Sequence, residues 1–109
     1  WLELAGIFAA TITVSSAGTA VQVTTTPTPF VWAIFHNAPG NSGNVYIGDA
    51  DVASTNGLSL QRITGAANHL DEIKFDGKLF AEDPPMDLSD FYVDAATNGD
   101  KIEVLAKVL

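Results

Sequence analysis

Nowhere does this chain run twelve residues with apolar side chains at helical spacing. Short runs of Thr, Val, Ile and aromatic residues are instead cut at close intervals by Gly, Pro, Asn and Asp. Strands need only four to eight residues and β-branched or aromatic side chains, whereas a helix needs a longer periodic stripe, so the pattern predicts an all-β protein. With 109 residues, 47% of them hydrophobic, there is apolar material for one core and no length for a second. Residues 1–109 are read as one domain, with residues 1–8 as an extended N-terminal arm. Seven to nine short strands in such a length fit a two-sheet β-sandwich, for which jelly-roll topology is one arrangement, and a closed barrel is the alternative.

The punctuation places the strands. Phe8–Val14 and Thr19–Thr25 alternate and read as hairpin partners. In TTTPTPF, Pro27 and Pro29 lack amide donors, so this stretch is an edge or a crossing between sheets. Phe30–His36 is apolar on both faces and is read as the centre of the core. It makes a hairpin with residues 44–48 across the turn segment 37–44. Asn56-Gly57 delivers Leu58 and Leu60 to a further strand, another runs from Glu72 to Phe75, and Asp76-Gly77 offers a two-residue turn. Asp87 caps a brief turn through Ser89 and Asp90. FYVDA and KIEVLAKVL close the chain as a hairpin about Asn98-Gly99.

Charge is distributed unevenly. The first 48 residues carry Glu3 as their single charged side chain, whereas residues 49–109 hold twelve acids and five bases, for a whole-chain formal charge of −8. Such an excess of acid disfavours phosphate-backbone contacts, so nucleic acid is not an expected partner. Leu4–Val14, the longest apolar stretch, has about half the length that crosses a bilayer and lacks the basic flank of a secretory leader. No membrane partner is expected. An uncharged segment rich in Ala, Thr, Val and Ile is what an edge strand in a protein interface contains, and equally what a strand covered on both faces within one protomer contains.

Catalytic patterns are weak. His36 and His69 are the general-base candidates at neutral pH, but Ser42 sits in GNSG rather than the G-x-S-x-G of a nucleophile elbow. No catalytic residue is assigned, and the expectation is a protein that is not an enzyme. Asp49 and Asp51, with Asp76, Glu82, Asp83 or Asp87, offer oxygen ligands for calcium, yet their spacing matches no EF-hand and they serve equally as caps of their own turn amides. No metal site and no cofactor are assigned. Zero cysteines removes thiolate chemistry and disulfides together. Most aromatic residues are needed inside, which leaves Trp1, Tyr46 and Phe80 as candidates for a stacking platform.

The stretch NVYIGDADVASTNGLSLQRITG, followed by DLSDFYVDAATNGDKIEVLAKVL, resembles a pattern in small virion proteins of tailed bacteriophages. Val45, Tyr46, Ile47, Gly48, Val52, Asn56, Gly57, Leu58, Leu60 and Gly65 fit its first part, and Leu88, Tyr92, Val93, Ala95, Gly99 and Val104 its second. Arg62 stands where the pattern often has Pro, and the segment from Ala66 to Pro85 is longer than the pattern's. The resemblance implies a β-sandwich and a non-enzymatic role as a capsid decoration or cement subunit on the virion surface. The partner it implies is the major capsid protein, and the assembly a homotrimer. On that reading Trp1, Leu2, Leu4, Ile7 and Phe8 make the contact surface. A fibre-associated or carbohydrate-binding module using Tyr46 and Phe80 is the alternative.

Overall fold

The structure, a computed structural model, describes residues 6–62, 71–77 and 86–109. Eight strands are present among them: β1 (Gly6–Thr13), β2 (Val21–Gln22), β3 (Phe30–Asn37), β4 (Val45–Gly48), β5 (Leu58–Leu60), β6 (Glu72–Asp76), β7 (Tyr92–Ala95) and β8 (Lys101–Val108). A single 3-10 turn at Leu88–Asp90 is capped by Asp87, whose side chain accepts from the Ser89 amide. No helix among the described residues is long and apolar enough to cross a membrane.

The strands form two antiparallel four-stranded sheets, β1-β8-β3-β6 and β2-β7-β4-β5. Every connection except β4–β5 passes from one sheet to the other. This is the jelly-roll arrangement of a β-sandwich, open at the sheet edges and not a closed barrel.

Three expected hairpins are therefore corrected. β1 pairs with β8 and β2 with β7, so the first two strands are not partners. β3 and β4 lie in opposite sheets, and so do β7 and β8. Each turn between them is real, but it sends the chain across the sandwich instead of back along its own sheet. The loop after β3 shows how. Asp100, buried at 6% exposure, accepts from the amides of Ser42 and Gly43 at 2.9–3.1 Å and ties the loop before β4 to the turn before β8. Pro27 and Pro29 lie where the sequence requires, in the crossing between β2 and β3. Pro29 there makes an isolated bridge to Asp87, and its carbonyl accepts from the Leu109 amide at 3.1 Å. Residues 6–8 of the expected arm belong to β1.

Alternation does the sorting. In β8, Ile102, Val104 and Ala106 face inward and are buried, while Lys101, Leu105 and Lys107 are exposed. In β3, Ala33, Phe35 and Asn37 are buried, while Trp32, Ile34 and His36 are only half-buried, so its second face is not fully covered. A register shift between Phe30 and Trp32 absorbs Val31 and keeps both Phe30 and Ala33 inside. Phe30, Phe35, Phe75 and Phe91 interlock at the centre with ring centroids 5.1–5.9 Å apart. Each aromatic side chain so buried contributes on the order of 1.5–3 kcal/mol. Gly57 opens β5 at φ +124, and a Cβ there would sit 2.7 Å from the Ile47 carbonyl, so the turn admits only glycine.

Candidate interaction surface

Edge strands decide where a sandwich can meet another chain, because each presents unpaired amides and carbonyls. Among the described residues this sandwich has four. β2 and β5 are two and three residues long, and β6 sets Glu72, Lys74 and Asp76 outward along its length. Shortness and charge are the ordinary protections against unwanted pairing. β1 has neither: it runs eight residues, GIFAATIT, with no charge and no proline.

The outer face of the same sheet continues this character. Register brings Ile7 beside Lys107 and Lys107 beside Trp32, and in the next row brings Ala9, Leu105, Ile34 and Lys74 together. Ile7 is 65% exposed and Leu105 43%. The result is an apolar row of Ala9, Leu105 and Ile34 across β1, β8 and β3, with Lys107 between Ile7 and Trp32 on one side of it and further charge at its margins. At one margin Lys74 pairs with Asp76 at 3.5 Å and lies over the Trp32 ring. At the other stand Glu103, His36 and Glu72, neighbours across three strands. An apolar centre with a polar rim is the composition of a protein interface.

The expected contact residues distribute as follows. Ile7 points outward on β1, whereas Phe8 turns inward and packs against the core, because neighbours on a strand face opposite ways. Trp1, Leu2 and Leu4 lie outside the described residues, as do Phe80, His69, Glu82 and Asp83. Tyr46 is described and mostly buried, at 9% exposure, so its ring face is not an open platform. It lines a depression of about 370 Å³ on the other sheet with Gly18, Ser54, Asp94 and four alanines. Asp94 there accepts from the amides of Gly18 and Ala95.

His36 and Ser42 are not joined. The His36 ring meets Glu103 and Asp71, and the Ser42 amide is held by Asp100. Asp49 caps its own turn by accepting from the Asp51 amide at 2.9 Å, which engages the Asp49 carboxylate locally. Sequence reading missed Leu105 and Ile34 as surface residues. Their alternation was visible, but the strands that place them beside Ile7 are remote in sequence.

No family model matches the chain, and no curated protein or solved structure matches it either. Function is therefore argued from the surface itself.

Proposed function

We propose that this protein is a non-enzymatic virion structural subunit, a capsid decoration or cement protein that docks on the assembled shell through β1 and the outer face of its sheet. The observation that carries the reading is the contrast among edges: three are protected, and the long uncharged one borders an apolar strip. Such an edge in a soluble domain is a liability unless a partner covers it. The resemblance to phage virion proteins supports the choice of partner, the major capsid protein, and a trimer at local threefold positions. Jelly-roll topology recurs in viral capsid domains and in lectins alike, so it supports the reading only by analogy.

The test is co-sedimentation with phage capsids stripped of accessory proteins, together with the mass in solution by light scattering. Saturable binding at a fixed ratio to the major capsid protein is expected. An Ala9→Lys/Thr11→Lys variant, altered only at exposed β1 positions, is expected to keep its fold and lose attachment. Equal attachment by the variant overturns the assignment of β1.

The depression over Tyr46 favours a second reading, a module that takes a small polar ligand such as a glycan. In that case Tyr46→Phe, which removes one hydroxyl, weakens glycan binding and leaves capsid attachment untouched.

A further inference from the structure

At the rim of the docking face, β3, β6 and β8 set His36, Glu72 and Glu103 side by side, and Asp71 precedes β6 with its carbonyl fixed by the Asn37 amide at 2.8 Å. The His36 Nδ1 lies 2.8 Å from Glu103 Oε1. An ionised carboxylate only accepts, so Nδ1 carries the proton of that bond, and in the neutral ring Nε2 is left as a lone pair. Nε2 lies 3.6 Å from Asp71 Oδ2, too far for a hydrogen bond, and a carboxylate oxygen of Glu72 lies within 4.8 Å of ligand atoms of both residues. Among the described residues no Lys or Arg pairs with Asp71, Glu72 or Glu103. Three carboxylates therefore stand around one imidazole with no Lys or Arg among the described residues paired to them, and two of them, Asp71 and Glu72, lie within ligand reach of a ring nitrogen.

We infer that His36 Nε2, Asp71 and Glu72 form a site for a divalent transition ion of the zinc type, with Glu103 orienting the imidazole from behind. The carboxylate–imidazole–metal relay is the usual way a ligating His is held, one ring nitrogen on an acceptor and the other on the ion. One ligand atom from each of the three residues lies within 4.8 Å of the others. Ligands of a tetrahedral zinc stand about 3.4 Å apart, a contraction the partly exposed carboxylates reach by side-chain rotation. Imidazole selects zinc-like ions over calcium or magnesium, which prefer all-oxygen shells. With three ligands from the described residues, a tetrahedral ion has a fourth position for water or another donor.

The experiment is titration of the full-length chain with Zn2+ by calorimetry, and with Co2+ followed by visible absorbance, after exhaustive chelation. One ion per chain is expected, with visible bands of a low-coordinate Co2+ site and no competition from excess Ca2+. Binding weakens as the medium is acidified, since protons compete for the same ligands. His36→Gln abolishes the Co2+ bands. Glu103→Gln, which removes no ligand, weakens Zn2+ binding about ten- to a hundredfold. Circular dichroism shows whether each variant keeps its fold, and Asp71→Asn provides a second ligand deletion should His36→Gln fail to fold. The inference is overturned if the chain shows no saturable Zn2+ binding. It is equally overturned if Ca2+ competes as an equal, or if binding survives His36→Gln and is lost in His69→Gln.

Discussion

Asn37 is fully buried, yet it is a polar residue at the end of a strand. Its Nδ2 donates to the carbonyls of Leu60 and Gly43, and its Oδ1 accepts from Asn41, so one amide joins β3 to the opposite sheet at β5 and to the loop before β4. Replacing it by Ala leaves at least one buried carbonyl unpaired, for an expected loss of about 2–3 kcal/mol. Urea unfolding measures this, and a change too small to resolve would mean that water takes over the amide's role. Nothing in the sequence marks this residue, since it opens a run of turn-formers and reads as the first of them. Asp87 is different, because its cap was legible from the spacing of Asp87, Ser89 and Asp90. Partial burial pushes its carboxyl up, but hydrogen bonds from the Thr28 amide and from the Ser89 amide and hydroxyl outweigh this and hold it below the ordinary value of 3.8. A carboxyl lowered in the folded state stabilises the fold above its unfolded value, and loses that contribution as pH falls from there through the folded one. Asp87→Asn keeps a capping oxygen and removes the charge. It is expected to be less stable than the parent at pH 7, with the gap closing below pH 3.8; a gap that holds at low pH would assign the loss to the cap alone.

Within the elements, existence was legible and pairing was not. β3, β4, β6 and β8 lie within a residue or two of where alternation and turn residues put them, because burial on one side of a strand imposes its period directly. Pairing depends on which strands lie adjacent in space, and in this topology sequence neighbours are sent to opposite sheets. The Asn-Gly turns illustrate the difference. Gly57 sits in the turn between two strands that do pair, and it meets the Ile47 carbonyl so closely that no side chain fits. Gly99, at φ +86, has nothing within 4 Å of a Cβ and sits in a crossing. Both substitutions to Ala strain the backbone, and the expected cost at Gly99 is about 1 kcal/mol. Gly57→Ala adds a steric clash and is expected to cost about 1–3 kcal/mol more. Thermal or urea unfolding of the two variants compares them directly, and equal losses would mean that the Gly57 turn relaxes without strain.

For the molecule as a whole, the uneven charge does not divide the sandwich into two faces. The uncharged half supplies β1 and β3 to one sheet and β2 and β4 to the other, and the charged half fills in between them. Among the described residues one uncharged strip lies where β1 stands at an edge and β8 and β3 turn Leu105 and Ile34 outward, so the sequence signal overstated how far charge is segregated. The same interleaving governs folding. β8, the last of the described strands, lies between β1, the first of them, and β3, pairing with both along nearly its full length. Nothing equivalent to the first sheet exists until it arrives, and such remote pairings are slow to form because the intervening loops must close first. A chain ending at Asp100 would leave β1 without its strand partner among the described residues, and would remove Ile102, Val104 and Ala106 from the core. Those buried aliphatic side chains together contribute on the order of 3–9 kcal/mol, a large part of the about 5–15 kcal/mol by which a domain is stable, and the β1 and β3 ladders to β8 are lost with them. The truncated chain is expected to show no cooperative urea transition, and the full chain to refold in milliseconds to seconds as a single exponential. Cooperative unfolding of the chain ending at Asp100 would mean that the β2-β7-β4-β5 sheet and β3 hold a core of their own, and that β1 is an arm which docks last.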